Sequence, residues 1–361
     1  MTAPGASGTP ETPGAGLSYA GAGVSIDAGD RAVALMKAAV EAASRAEVVG
    51  GIGGFAGLFD ASKLASYRRP LLATSTDGVG TKVVIAQRLG RYDTVGIDLV
   101  GMVVDDLVTC GADPLFMTDY VVFGRLSAER AAEVVRGVAH GCELAGCALL
   151  GGETAEHPGH LGPDAFDVAG AATGVVEADA LLGPGKVRSG DVVLALASSG
   201  LHANGYSLVR RVIAEAGLAL AAEPPGLGRT LGEELLTPTT IYARDCLALA
   251  AECDVHAFAH VTGGGLAANL ARVLPPGTSA TVDRGTWCPP AIFGLLAGHG
   301  GIGQGEMERV FNMGVGMVAL VGADDADRAQ RLLASRGIPA WPAGEITSGG
   351  EGVRLVGAYR A

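Results

Sequence analysis

Glycine is the sequence feature that most constrains this chain, because 57 of its 361 residues are glycine, about twice the average share. Much of this glycine is clustered, and clustered glycine lets the backbone approach a ligand closely. The clusters punctuate an alternation of strand-like apolar segments and helical periodicity. The alternation runs through both halves of the chain and predicts an α/β or α+β fold.

Length and turn residues predict two domains. Residues 1–16, rich in Pro, Gly and Thr, predict a disordered tail. Turn residues at 182–185 interrupt the pattern, so we place an N-terminal domain at 17–182 and a C-terminal domain at 183–361. The predicted strands are 70–76, 116–123, 148–150, 167–176, 191–196, 314–321 and 344–355, a strand–glycine–helix unit spans 257–273, and the predicted helices are 28–45, 83–89, 98–110, 127–145, 205–216, 239–250 and 324–336.

The charge balance argues against several classes of partner. The 26 Lys and Arg face 38 Asp and Glu, a net charge of -12, which makes nucleic acid and anionic membranes poor partners. No apolar run reaches the roughly 18 residues of a membrane span, and no signal peptide is recognisable, so we expect a soluble, cytoplasmic protein. A phosphate ligand would need backbone amides, a lone lysine or a bridging metal.

The common nucleotide-binding and hydrolase motifs are missing. The sequence has no G-x-x-x-x-G-K-[ST], no G-x-G-x-x-G leading from a strand into a helix, and neither H-E-x-x-H nor G-x-S-x-G. A glycine turn at Asp77-Gly78-Val79-Gly80-Thr81-Lys82 stands out instead. A carboxylate at a strand end, two glycines that expose amides, then Thr and Lys can hold Mg²⁺ and phosphate together. The alternative is an ordinary strand–helix turn with an Asp cap.

Two more places in the sequence carry candidate carboxylates, one in a predicted helix and one after a glycine pair. Asp105 and Asp106 lie in an apolar helix, where two acids are costly unless they are paired or metal-bound. Adjacent helix positions diverge by about 100°, so we expect one of them to face a site. The alternative is a satisfied core Asp beside a surface Asp. Glu153 follows Gly151 and Gly152 at a predicted strand end.

Two further turns predict anion sites at helix starts. Residues 198–205 combine Ser199, His202 and Asn204, and Thr262-Gly263-Gly264-Gly265 opens another helix. A lone His in such a loop is more often structural, and a glycine turn can be only a tight turn. Taken together, four glycine-rich turns with acidic or hydroxyl residues in one acidic chain point to a polyphosphate ligand held through Mg²⁺.

Long segments resemble the phosphoribosylformylglycinamidine cyclo-ligases, the aminoimidazole ribonucleotide synthetases of purine biosynthesis. The segments are LSYAGAGVSIDAGD (17–30), GGIGGFAGLF (50–59), TDGVGTK (76–82), GIDLVGMVVDDLVTCGADPLF (96–116), LLGGETAEHPG (149–159), SSGLHANGYSLVR (198–210) and HVTGGGL (260–266). The resemblance implies a two-domain α/β (α+β) fold whose N-terminal domain contributes strands to a homodimer barrel. It implies ATP, Mg²⁺ and formylglycinamidine ribonucleotide as ligands.

The resemblance also assigns roles to residues of the glycine turns. The Mg²⁺ ligands would be Asp77, Asp106 and, as a weaker third, Glu153. Contacts to ATP would come from Gly51, Gly53, Gly54 and Phe55 in a glycine lid, and from Asp77, Gly78, Gly80, Thr81 and Lys82. The ribonucleotide would contact Ser199, His202, Asn204, Thr262, Gly263 and Gly264, and the catalytic residues would be His202, Lys82 and Asp106.

There are two alternative functions: another ATP enzyme of the same superfamily and a non-catalytic nucleotide-binding scaffold. Related ATP enzymes, such as thiamine-phosphate kinases and the amidine synthetase one step earlier, resemble this chain in the Asp-Gly and Asp-helix motifs. Several of them have Asp where this chain has His260, so we expect fewer metals here; His260 itself is either a substrate contact or structural. A non-catalytic nucleotide-binding scaffold would predict loss of the site carboxylates, yet Asp77, Asp106 and Glu153 are all present.

Overall fold

Two β-sheets organise the chain. The computed structural model describes residues 17–51 and 54–360, so the predicted tail at 1–16 and the predicted ATP contact Gly53 lie outside the described residues. The helices are α1 Ile26–Ala42, α2 Val83–Leu89, α3 Asp93–Val108, α4 Ala128–Ala145, α5 Tyr206–Glu215, α6 Leu231–Leu235, α7 Ala243–Glu252, α8 Gly265–Ala271, α9 Ala291–Gly300, α10 Gln304–Val310 and α11 Ala326–Ser335. The strands are β1 Val48–Val49, β2 Leu58–Phe59, β3 Pro70–Gly78, β4 Asp113–Phe123, β5 Ala148–Glu156, β6 Phe166–Glu177, β7 Val192–Ala197, β8 Val255–His260, β9 Thr278–Asp283, β10 Val315–Val321, β11 Ala340–Ser348 and β12 Gly352–Val356.

The N-terminal sheet has four strands in the order β3-β6-β4-β5. Helices α3 and α4 cover one face, and α1 packs on α4. The opposite face leaves alternate residues exposed, among them Leu72, Thr74, Thr76, Thr118 and Tyr120. This period-2 pattern is typical of a sheet with one buried face.

Helix α3 lies between the N-terminal sheet and the C-terminal domain, and nearly all of its residues are buried. The backbones of α3 and α4 lie close together where they cross: a Cβ added to Gly137 of α4 would lie 1.8 Å from the carbonyl oxygen of Asp93 in α3. Its apolar sequence therefore reflects burial on several sides, as a helix without a solvent face requires.

The C-terminal sheet has six strands in the order β12-β9-β11-β7-β10-β8. The inner strands β7 and β10 and the edge strand β8 are almost wholly buried. Strand β8 ends at His260, and a glycine turn leads from it into α8. The mixed α/β architecture confirms the predicted fold class.

Several predicted elements differ from the structure. Strand β5 continues through Gly151 and Gly152 to Glu156, so the predicted end at residue 150 is wrong. The predicted helix at 239–250 begins only at Ala243. Strand β9 and helices α6, α9 and α10 have no counterpart in the prediction. Within the described residues, no helix is both long and apolar enough to cross a membrane.

Candidate active site

A cavity of about 390 Å³ lies where the two domains meet. Strand β3 and the end of α3 line it from the N-terminal domain, and β8 and α8 line it from the C-terminal domain. Its polar lining residues include Thr74, Ser75, Asp106, His260, Asn269 and Arg272. The predicted helix carboxylate Asp106 therefore faces a space large enough for part of a nucleotide.

Asp106 and His260 form a hydrogen-bonded pair across the domain boundary. The Nδ1 atom of His260 lies 2.9 Å from Oδ1 of Asp106, and the Asp106 side chain is 45% exposed. Burial disfavours the charged His260 ring, but the Asp106 hydrogen bond and the charges of Asp105, Asp106 and Asp77 outweigh it and raise the His260 pKa. An imidazolium next to these carboxylates is thereby favoured.

Asp77 lies at the end of β3 on the helix-covered face of the sheet. Its register partner is Gly170, where a Cβ would approach Leu99 of α3. Burial raises the pKa of Asp77, the Gly78 amide lowers it, the Asp106 charge raises it and His260 lowers it, for a net rise. Asp77, Asp106 and His260 thus influence one another electrostatically.

Two of the three predicted Mg²⁺ ligands, Asp77 and Asp106, are placed as a magnesium site requires. Oδ1 of Asp77 accepts from the Gly78 amide at 2.7 Å, and Oδ1 of Asp106 bonds His260. Each carboxylate keeps its other oxygen without a hydrogen-bond partner among the described residues. Mg²⁺ commonly uses one or two carboxylates together with substrate phosphates, and these two residues match that donor set.

Glu153 does not join them, which corrects the predicted three-carboxylate site. It pairs in register with Tyr120 in β4, on the exposed face of the sheet, whereas Asp77 points to the helix-covered face. Three strand spacings, about 14 Å, also separate β5 from β3. Among residues 17–51 and 54–360, no group of three potential metal ligands occurs.

The position of the Lys82 side chain does not agree with its predicted contact with the ATP phosphates. The side chain is fully buried, and Nζ donates to Asp98 and to the carbonyl oxygens of His202 and Thr237. These three bonds use all the donors of an ammonium group. Burial lowers the pKa of Lys82 and raises that of Asp98, while the charge of each partner opposes the shift. Lys82 is part of the domain interface and has no donor left for a ligand.

The predicted ribonucleotide-binding residues fall into two loops in contact. Oδ1 of Asn204 accepts from the Gly263 amide at 3.1 Å, which joins loop 199–204 to the glycine turn before α8. The Ser199 hydroxyl donates to the Pro238 carbonyl at 2.6 Å. Within the turn, the Thr262 hydroxyl donates to Asn269 and Gly264 has a φ of 99°.

His202 is only 1% exposed and therefore belongs to the loop interior. Its Nε2 accepts from the Ser199 amide at 3.2 Å, which leaves the proton on Nδ1. Burial and the charges of His260 and Lys82 hold the pKa of His202 well below its usual value. A neutral, enclosed imidazole is suited to organise the loop.

The described part of the predicted glycine lid lies elsewhere. Gly50 and Gly51 line a smaller cavity with Leu149 and Leu150 of β5, and Phe55 is exposed. The structure does not bring these described lid residues to Asp77. Gly80 does take a left-handed φ of 60° with open space around it, and the Thr81 hydroxyl contacts that of Ser207 at the start of α5.

Two residues of this region escaped the sequence prediction. Asp98 is buried against Lys82 and lies seven positions before Asp105, a spacing that puts both on one face of α3. That spacing was visible in the sequence. Arg272 lines the cavity beside Asn269, but a lone Arg after a short helix carries no recognisable signal.

Fold and site together define an AIR synthase-like protein. The family model "AIR synthase related protein, N-terminal domain" matches residues 60–176, and "AIR synthase related protein, C-terminal domain" matches residues 188–357. Among solved structures, a thiamine-monophosphate kinase from Stenotrophomonas maltophilia has a TM-score of 0.65 at 21% identity, covering 90% of this chain and 97% of that chain. HypE from E. coli has a TM-score of 0.64 at 19% identity, covering 92% and 94%. These structures share the fold.

Curated relatives specify the family. A phosphoribosylformylglycinamidine cyclo-ligase from Anaeromyxobacter sp. (strain Fw109-5) is 51% identical over 92% of this chain and 96% of its own. The protein of that name from Myxococcus xanthus (strain DK1622) is 48% identical over 94% of this chain and 99% of its own. The chain belongs to the phosphoribosylformylglycinamidine cyclo-ligase family, and the resemblance in the sequence is confirmed.

Proposed function

We infer that this enzyme catalyses the ATP-dependent ring closure of formylglycinamidine ribonucleotide to 5-aminoimidazole ribonucleotide in purine biosynthesis, releasing ADP and phosphate. The observation that carries this function is the 51% identity to a phosphoribosylformylglycinamidine cyclo-ligase over 92% of this chain. A solved HypE complex with ATP shares the fold, with a TM-score of 0.59. The alternative is another ATP-dependent reaction of the superfamily, an amidine synthetase or a small-molecule kinase.

The chemistry requires activation of an amide oxygen, which is a poor leaving group. ATP transfers its γ-phosphoryl group to the formyl amide oxygen. The ribosyl-bearing nitrogen then attacks the activated carbon, and the oxygen departs with the phosphate as the imidazole ring closes. Phosphoryl transfer needs positioning and charge neutralisation more than a protein nucleophile, which agrees with a site made of carboxylates and glycine amides.

Roles for the residues follow from their positions. Asp77 and Asp106 would hold Mg²⁺, which supplies charge neutralisation for the ATP phosphates when bound. The Gly80 amide and Thr81 lie near Asp77 and would contact the phosphates, whereas the Gly78 amide donates to Asp77, and a phosphate contact for it stays a prediction. Loop 199–204 and residues 262–264 meet through the Asn204–Gly263 bond and would bind the ribonucleotide. The glycine lid stays a prediction.

A homodimer through the open face of the N-terminal sheet is part of the proposal. Leu72 and Tyr120 on this face are 63% and 40% exposed, and large apolar side chains on an uncovered sheet favour a partner surface. We expect a dimer mass by light scattering and a monomer for Leu72→Lys. A monomeric wild-type protein would contradict the dimer.

The net charge of -12 supports the expectation that nucleic acid is no partner, and the cytoplasmic location stays an expectation.

Acceptor choice tests the function against its alternative. Purified protein with Mg²⁺ and ATP is offered formylglycinamidine ribonucleotide, thiamine monophosphate or the formylglycinamide ribonucleotide with an ammonia source, and ADP formation is followed for each. We expect ADP formation only with formylglycinamidine ribonucleotide. ADP formation with either other acceptor alone would support the alternative.

A further inference from the structure

A buried ion pair of the N-terminal domain holds backbone of the C-terminal domain. Nζ of Lys82 lies 2.9 Å from Oδ1 of Asp98, and it donates to the carbonyl oxygens of His202 and Thr237 at 2.9 and 2.8 Å. Both charged side chains are 0% exposed. The two carbonyl groups belong to loop 199–204 and to the segment just before α7, so one ammonium group fixes two C-terminal segments.

The carboxylates of α3 continue this contact. Oδ1 of Asp98 accepts from the amide and the hydroxyl of Thr239 at 2.8 and 2.7 Å. Asp105, seven residues later, accepts from the Tyr242 amide at 2.9 Å. The segment 237–242 therefore runs along α3, and Ser199 of the loop bonds its Pro238 carbonyl.

The loop itself contains an unusual backbone conformation. His202 has a φ of 59°, in the left-handed region that residues other than glycine rarely adopt. Such conformations persist only where the surroundings over-determine them. The imidazole accepts from the Ser199 amide of its own loop and packs next to the Tyr242 ring, and the carbonyl of the same residue is held by Lys82.

We propose that Lys82 and Asp98 are positioning residues that hold loop 199–204 in its ribonucleotide-binding conformation. The proposal rests on the proposed function for the identity of the loop's ligand. Lys82 constrains the loop at the His202 carbonyl, and two residues later Asn204 meets the Gly263 amide. Release of the carbonyl would let the loop shift at its ligand-facing end, while Asp77 and Gly78 on β3 keep their places.

The test is the double variant Lys82→Met with Asp98→Asn. It removes both charges together, because removing one would leave the other buried and unpaired, and the new amide keeps an acceptor for Thr239. We expect kcat/KM for the ribonucleotide to fall on the order of 10- to 100-fold, mainly through KM, as misplaced binding groups do. The dissociation constant for ATP, measured by calorimetry, should not change.

A double-mutant cycle with His202→Ala separates positioning from general stability. Because both changes would act on one loop, their effects on KM should not add. The matched control is His256→Gln with Asp191→Asn, which removes another buried pair with a 2.7 Å contact at the opposite end of β8. We expect the control to lower the melting temperature and leave KM for the ribonucleotide unchanged.

Other outcomes would overturn the proposal. Weakened ATP binding with normal ribonucleotide KM would return Lys82 to the phosphate site, and lost stability with both constants unchanged would make the pair merely structural. If the double variant does not fold, Asp98→Glu keeps both charges but moves the carboxylate, and an unchanged ribonucleotide KM would refute the positioning role. Wild-type protein that binds the ribonucleotide but does not turn it over would instead contradict the proposed function.

Discussion

Replacement of Asp119 by Asn should flatten the pH dependence of stability between pH 5 and pH 7. Oδ2 of Asp119, in β4 beneath α4, is buried without a hydrogen-bond partner among the described residues. Burial raises the pKa of Asp119 from 3.8 to about 7. The folded state therefore binds this proton more tightly than the unfolded state, and stability falls as the pH rises through this interval.

The magnitude follows from the two pKa values. Between them, each pH unit changes the free energy of unfolding by about 1.4 kcal/mol, so the wild-type protein should lose on the order of 3 kcal/mol from pH 5 to pH 7 relative to the variant. Urea unfolding at pH 5, 6 and 7 measures this difference. Asp179→Asn, on a side chain 75% exposed, is the control and should parallel the wild type. Parallel curves for Asp119→Asn and wild type would refute the reasoning.

Three further substitutions test the site and the packing. Asp106→Asn should lower kcat on the order of 10²-fold or more, as loss of a charge-stabilising group does, with an unchanged urea midpoint; full activity would remove Asp106 from the site. Gly137→Ala should destabilise by about 1–3 kcal/mol through overpacking, because its Cβ would lie 1.8 Å from the Asp93 carbonyl. The control Gly294→Ala in α9 has open space and should not destabilise in the same urea assay. Asn204→Ala should raise KM for the ribonucleotide and leave ATP affinity unchanged in calorimetry; equal changes in both would contradict its assignment.

Local patterns predicted the strand–helix alternation and a site-facing carboxylate on α3. Asp106 could be predicted because an acid in an apolar helix needs a partner or a ligand, and the structure gives it His260 and a cavity. Its neighbour Asp105 is the core Asp of the alternative interpretation: Oδ1 accepts from the Tyr242 amide, while Oδ2 is buried without a hydrogen-bond partner among the described residues. Both outcomes follow from the 100° divergence of adjacent helix positions.

The errors concern partners that lie far away in sequence. Lys82 next to a glycine turn is typical of a phosphate contact, but carbonyl groups 120 and 155 residues later take its donors. Glu153 was assigned to a turn because paired glycines usually end strands, whereas β5 continues beside β4 and carries it to the other face. Helical and strand periodicity contain no information about such tertiary neighbours.

The most direct measurement follows the formyl oxygen itself. Formylglycinamidine ribonucleotide labelled with ¹⁸O at the formyl group is turned over with Mg²⁺ and ATP, and the aminoimidazole product and released phosphate are analysed together by mass spectrometry. The account predicts one phosphate for each imidazole, with the label in the phosphate. Phosphate without imidazole, or imidazole accompanied by unlabelled phosphate, would contradict it.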